Sequence, residues 1–299
     1  MEKRTFGKTE LAVSVLGFGG AEIGFSQDTN EQIVEKLLME AIEAGLNVID
    51  TAECYRRSEE LVGSVLGKRR KDVYIFTKCG HGKSWQEDAW GAANLEASID
   101  RSLKRLKTDY VDLVQLHSCS ENVLKQGDAI AVLQKAKKAG KTRFIGYSGD
   151  GTDALYAIKS GAFDTFQTSV NIADQQALDL TLPLAVEKGM GIIAKRPVAN
   201  VAFKHKNRPD GDYGLPYWER LQKLKYDFVN GDTERAMAKA LRFTLSVPGI
   251  HTAIVGTSKP GRYSENAKIL AEGPLSKSDF DLIRSQWQTI AAPNWVGQV

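Results

Sequence analysis

The chain has 299 residues, 42% of them hydrophobic and 26% charged, with a formal net charge of +3. That length buries a sizeable core, and so small a charge with both signs mixed along the chain gives no footing for nucleic acid. The N-terminal Met1-Glu2-Lys3-Arg4-Thr5-Phe6 runs into polar residues, and no apolar stretch approaches membrane-spanning length, so a cytoplasmic protein without membrane or nucleic-acid partners is expected.

A hairpin turn at Gly7-Lys8-Thr9-Glu10 precedes a first short strand, Val15 to Gly19. Ile33, Val34, Leu37, Leu38, Ala41 and Ile42 form one apolar stripe, which predicts a helix over Glu31 to Ala44 with Gly45 as its stop. A second strand ends at Asp50, Ser58-Glu59-Glu60-Leu61 opens a helix to about Leu66, and a third strand ends at Lys78. A helix over Asn94 to Leu106 leads to a fourth strand ending at His117.

The rhythm continues with a helix over Ala129 to Ala139, a strand over Arg143 to Ser148, a helix over Asp153 to Lys159 and a strand over Thr165 to Ser169. Then come a helix over Leu178 to Lys188, a strand over Gly191 to Lys195, a helix over Glu234 to Leu245, a strand over His251 to Val255 and a helix near Tyr263 to Leu270. Eight such units in about 250 residues, without a linker-like stretch, fit one closed (β/α)8 TIM barrel spanning residues 1–299. An open doubly wound sheet shares the alternation, but no G-x-G-x-x-G follows the first strand. Between the seventh strand and its helix, His205 to Asp232 breaks the pattern with glycines, prolines and the aromatics Tyr213, Tyr217 and Trp218. Such an insertion reads as a lid or binding loop, or as local core.

Asp50, Tyr55, Lys78 and His117 fall at or just beyond the carboxyl ends of separate strands, the face on which barrel enzymes keep their active sites. A tyrosine hydroxyl is a poor acid, with a reference pKa of about 10, but an adjacent ammonium stabilises the phenolate and lowers that value. Lys78 supplies the charge, Asp50 is its counter-ion, and His117 donates a hydrogen bond that orients a substrate oxygen. Together they make a proton-donating site for a carbonyl oxygen becoming an alkoxide. Cys54, Cys79 and Cys119 each lie within two residues of the quartet, and His81 is near. Space-filling by small, soft residues is the plainer reading, because no zinc-ligand spacing is present.

The stretch Val48-Ile49-Asp50-Thr51-Ala52-Glu53-Cys54-Tyr55, with Ser58-Glu59 and Gly63 after it, resembles the D-T-A-x-x-Y region of the aldo-keto reductases. Lys78 and His117 match the rest of that family's catalytic tetrad, and the resemblance covers nearly the whole chain. It implies an oxidoreductase that binds NADPH, with NADH less favoured, and passes hydride to an aldehyde or ketone (or runs the reverse) while Tyr55 donates the proton. Its partner is a small-molecule carbonyl or alcohol; the sequence does not set the oligomeric state, though a monomer is favoured.

By the same resemblance, Ser148, Gly149 and Gln167 hold the nicotinamide carboxamide, and Lys195, Arg196 and Pro197 meet the pyrophosphate. Gly19, Gly20, Gly256, Thr257, Ser258 and Lys259 form the cofactor-binding ends, and Arg262, Glu265 and Asn266 fall on adenosine. An adenosine 2′-phosphate carries charge that Lys259 and Arg262 can meet near a helix N-terminus, which argues for NADPH. The chain also departs from the family pattern. Gly149 replaces an Asn, leaving water or Asp150 to supply that contact, Lys195-Arg196 replaces the usual pair there, and Gly256 stands where many members place a Lys.

Trp85, Trp90, Glu22, Phe25 and the aromatics of the insertion are the candidate substrate-pocket walls, open to sugars, small aldehydes, ketones or quinone-like compounds. Two other functions fit less well: a metal-dependent hydrolase using His81, His117 and the cysteines, and a cofactor-binding redox-sensor subunit with little turnover.

Overall fold

The structure is a computed structural model that describes residues 1–81, 89–211 and 213–298, the Lys68 side chain apart. A hairpin of β1 (Lys3–Thr5) and β2 (Ala12–Ser14) pairs antiparallel, Lys3 opposite Ser14, as the turn at residues 7–10 predicts. The remaining strands are β3 (Leu16–Gly19), β4 (Val48–Asp50), β5 (Tyr74–Cys79), β6 (Val111–His117), β7 (Thr142–Ser148), β8 (Thr165–Ser169), β9 (Gly191–Lys195) and β10 (Thr252–Gly256). They close into a parallel barrel in the order β10-β3-β4-β5-β6-β7-β8-β9, the (β/α)8 fold read from the sequence.

Around it lie α1 (Ala21–Phe25), α2 (Glu31–Glu43), α3 (Ser58–Leu66), α4 (Ala92–Leu106), α5 (Glu121–Gln126), α6 (Asp128–Lys138) and α7 (Gly151–Ser160). Then follow α8 (Gln176–Leu180), α9 (Leu182–Glu187), α10 (Leu215–Leu224), α11 (Thr233–Ser246), α12 (Arg262–Ala271) and α13 (Lys277–Ile290). Capping chemistry sets several starts: the side chains of Asn30, Asp232 and Ser276 accept from the N–H groups of Ile33, Glu234 and Asp279, each worth about 1 kcal/mol.

Two apolar clusters hold the fold. Val34, Leu37, Leu61, Val62, Leu95 and Ile99 are among the buried residues of the first, which joins the helical layer to the strands. The smaller one joins the strand residues Val48, Phe76, Leu113, Ile193 and Ile254 to Phe6, Leu11 and Val13 of the hairpin region. Phe6 stacks on Phe76 with centroids 5.5 Å apart, so the hairpin plugs the N-terminal end of the barrel and leaves the other end for chemistry.

The structure departs from the expected elements in several places, among them the short helices α1 and α5. The helix expected over 178–188 is two short ones, α8 and α9, because Pro183 has no N–H to continue the ladder and sits in the first turn of α9. The insertion contains a regular helix, α10, with Tyr217, Leu221 and Leu224 buried. A further helix, α13, follows the barrel and buries Ile283 and Trp287.

Candidate active site

Strand register gathers the predicted side chains at one end of the barrel. Gly19 pairs with Asp50, Lys78 with Gln115, His117 with Ser148, Ser148 with Gln167, and Gly256 with Gly19. Lys78 Nζ donates to Asp50 Oδ1 at 2.6 Å and to the Thr51 carbonyl at 2.9 Å. The same ammonium lies 5.1 Å from the centroid of the Tyr55 ring, and the Tyr55 and His117 rings meet edge to face at 5.8 Å. The tetrad read from the sequence is therefore one contiguous group.

The surrounding motif fixes this geometry. The Thr51 and Ser58 hydroxyls share a hydrogen bond of 2.8 Å, which ties the end of β4 to the start of α3 and frames the turn that carries Tyr55. Glu59 accepts from Thr77 Oγ1 at 2.7 Å, anchoring α3 to the residue before Lys78. Glu53 is buried and accepts from Ser98 and, at 2.6 Å, from Arg101, which pins the middle of the turn to α4. Gly20 sits where a β-carbon would come within 2.6 Å of the Ser58 hydroxyl, so only glycine allows this approach.

Burial dominates the electrostatics. It works against the Lys78 ammonium, yet the charge and hydrogen bond of the Asp50 carboxylate outweigh it and keep the amine protonated. Burial raises the Tyr55 hydroxyl, with Lys78 pulling the other way, so the side chain rests as a phenol; the net lowering expected from sequence does not appear. Burial, followed by the charges of Lys78, His81, Lys195 and Arg196, holds His117 far below its ordinary value. His117 is thus a neutral imidazole, and Cys54 Sγ lies 3.4 Å from its Nδ1. Burial also raises the Cys54 thiol to about 11, which keeps it an S–H group.

The positions matched to a nicotinamide cofactor pass a chemical test. Gln167 Nε2 donates to Asp50 Oδ2 at 3.1 Å, while Gln167 Oε1 and Ser148 Oγ are buried without a partner among the described residues. Unsatisfied buried polar atoms are rare, and these two supply an acceptor and a hydroxyl for a carboxamide. Gly149 is small for a reason: a β-carbon there would lie 2.7 Å from the Tyr147 ring. Asp150 cannot stand in for the missing Asn, because it is already bound to Thr168 Oγ1, Ser169 N–H and Lys195 Nζ at 2.7, 2.7 and 2.8 Å.

Arg196, in the left-handed region at φ 56°, donates to Ser169 Oγ and to the Tyr213 hydroxyl. Pro197 is buried, and its carbonyl accepts from Thr244 Oγ1 of α11. Across the mouth, Gly256 packs against Glu22, Thr257 Oγ1 accepts from the Lys259 N–H, Ser258 is half-buried and the Lys259 side chain is exposed. Arg262 is shared with Glu234 at 2.9 Å and with Glu265 at 3.0 Å. Asn266 Oδ1 is buried and, among the described residues, unpartnered.

The family model for the Aldo/keto reductase family matches residues 15–288. The chain belongs to that family. It is 31% identical over 287 residues to the L-galactose dehydrogenase of Arabidopsis thaliana, covering 91% of this chain and 89% of that one. It is 29% identical to the NADH-specific methylglyoxal reductase of Escherichia coli, over 97% and 99% of the two chains. Among solved structures, the holo form of an aldo-keto reductase from Bacillus halodurans superposes with a TM-score of 0.82 at 25% identity, covering 98% and 99%.

In this aldo-keto reductase the residues expected to wall a substrate pocket are aromatic and lie at the mouth. Trp90 lies over Gly80 and meets His81 edge to face at 5.5 Å, and His81 meets His117 at 5.0 Å. Phe25 is 48% exposed and 5.9 Å from the Tyr55 ring, a placement that fits a pocket wall. Trp85 lies outside the described residues. Of the insertion's aromatics, Tyr213 meets Arg196 at the mouth, and buried Tyr217 reaches both Asp174, at 3.0 Å, and the Arg196 side; the Trp218 indole N–H donates to the His205 carbonyl.

Among the described residues no group of three or more His, Cys, Asp or Glu is placed to hold a metal ion, and no helix is long and apolar enough to cross a membrane. Sequence reasoning missed two contacts that bear on function, Cys54 with His117 and Glu40 with the start of α12. The proximity of Cys54 to Tyr55 hinted at the first, whereas residues 221 apart in sequence give no sign of the second.

Proposed function

We propose that this single barrel domain, acting in the cytoplasm, is a nicotinamide-dependent oxidoreductase that interconverts an aldehyde or ketone with its alcohol. The observation that carries this reading is Lys78 held on Asp50 beneath the Tyr55 ring, with a neutral His117 beside it. When bound, the dihydronicotinamide supplies the hydride. Ser148 and Gln167 would hold its carboxamide, and Gln167 also fixes Asp50.

Tyr55 donates its hydroxyl proton to the substrate oxygen as negative charge develops there. The Lys78 ammonium lowers the cost of the resulting phenolate, and Asp50 keeps that ammonium protonated and aimed. His117 donates from its ring N–H to the same oxygen, setting the substrate's angle of approach. Aromatic walls at Trp90 and Phe25 exclude water from the reacting centre.

Relatives named for L-galactose, methylglyoxal and an aldose support small, oxygen-rich carbonyl compounds as the substrate class. The case for NADPH made from Lys259 and Arg262 weakens, because Arg262 already carries two carboxylate partners. A relative named as NADH-specific fits the weaker case. The test is consumption of reduced nicotinamide across a panel of aldoses, short aldehydes and dicarbonyls. Turnover on any of them supports the reading, and tight cofactor binding without turnover on any would favour a sensor instead.

A further inference from the structure

The N-terminus of α12, where the family resemblance puts the adenosine end of the cofactor, already holds an anion. Glu40, reaching across from α2, accepts from the Gly261 N–H at 2.7 Å and from the Ser264 N–H at 3.0 Å. Partial burial pushes its carboxyl up, but the Gly261, Ser264 and Tyr263 contacts outweigh that and hold it below its usual value. Glu40 is therefore ionised at neutral pH and takes the N–H groups and helix dipole that a phosphate would use.

The cation meant for that phosphate is engaged as well. Arg262 is 23% exposed, with Glu234 and Glu265 on its guanidinium. On the next turn of α12, Asn266 is 1% exposed and its Oδ1 has no partner among the described residues, an unmet acceptor suited to an amino group such as adenine's.

From this geometry we infer that the adenosine end selects a dinucleotide whose ribose carries a free 2′-hydroxyl, NADH, and rejects the 2′-phosphate of NADPH. The inference rests on the oxidoreductase reading of the same site. A carboxylate accepts a hydrogen bond from a ribose hydroxyl but repels a phosphate dianion, which is how acidic residues choose between these cofactors in other folds. Glu40 is the specificity-determining residue, and Glu234 with Glu265 act through Arg262 by occupying it.

The experiment is a titration of the full chain with NADH and with NADPH, read by tryptophan quenching and reduced-nicotinamide emission, without substrate. NADH should bind at least about tenfold more tightly, given the cost of like charges brought together. Added salt should narrow that gap, because the repulsion is screened. Glu40→Gln should cut the NADH-to-NADPH affinity ratio by roughly tenfold, and the surface double variant Glu234→Gln/Glu265→Gln, which frees Arg262, should move it the same way. NADPH binding as tightly as NADH or more so, or a ratio that neither variant moves, would overturn the inference while leaving the oxidoreductase reading intact. Binding of neither cofactor would overturn both.

Discussion

Lys78 and Asp50 form an ion pair of 2.6 Å with side chains only 2% and 5% exposed, at the meeting point of β4 and β5. Two charges so deeply buried are retained only where each satisfies the other, and here a third group, Gln167, occupies the second Asp50 oxygen. Removing one partner strands the other. Asp50→Asn should cost about 3–5 kcal/mol of stability, measured by denaturant unfolding. Lys78 should also titrate at a lower pH, shifting the pH profile of turnover. An unchanged unfolding midpoint would show that the pair does not hold the strand ends together.

The Cys54 contact with His117 predicts a positioning role. A thiol kept protonated donates to Nδ1, which leaves the ring proton on the other nitrogen and free to orient a substrate. Cys54→Ala should lower kcat/KM by about three- to tenfold, the worth of one hydrogen bond. Cys54→Ser, which keeps a donor, should restore most of it. Equal losses in both variants would assign the effect to packing.

Gly149 marks where this chain leaves the family pattern. Because a β-carbon would meet the Tyr147 ring at 2.7 Å, and the Tyr147 hydroxyl is tied to the Cys119 carbonyl at 2.7 Å, the ring has little room to yield. Gly149→Asn should therefore destabilise the protein by about 1–3 kcal/mol, as overpacked cores do. A thermal midpoint equal to the parent's would show that Tyr147 moves freely.

Acid should act through His117. Its folded value lies well below 6.5, so the unfolded chain takes up a proton that the folded chain refuses. That difference is absent above the unfolded value, and stability is lost as pH falls below about 6.5 toward the folded value. Buried carboxyls such as Asp174, raised to about 7, work in the opposite sense, so total stability is a mixed quantity. Subtracting the curve of His117→Asn isolates the histidine: the variant should gain on the parent as pH drops from 7 to 5. Parallel curves would contradict the neutral imidazole.

How much of this was legible in sequence follows from the range of each interaction. The strand ends at Asp50 and His117, and the one a residue past Lys78, were readable because each closes an apolar run, and the barrel followed from eight repetitions of one local pattern. The break at Pro183 was local too, yet the helix expected over 178–188 ran straight through it. The apolar residues of α13 belong to no repeat of strand and helix, so the rhythm that revealed the barrel passed over them.

Charge partners were the least legible. Arg262 looked free for a phosphate until Glu234, 28 residues away, was found on it, and Asp150 looked free until β8 and Lys195 surrounded it. The acidity of Tyr55 was misjudged for a related reason. The sequence shows that Lys78 is near, but the burial that opposes it comes from the whole mouth.

Everything at this site turns on Tyr55 giving its proton to a carbonyl oxygen as the nicotinamide is oxidised. The most direct measurement is a single turnover of bound reduced cofactor with an accepted carbonyl substrate, comparing the parent chain with Tyr55→Phe, cofactor affinity being checked in both. Tyr55→Phe should leave cofactor binding unchanged and lower the hydride-transfer rate by about 10²- to 10⁴-fold, the usual contribution of a general acid. A Tyr55→Phe rate within a few-fold of the parent's would contradict this and move the proton source to another group.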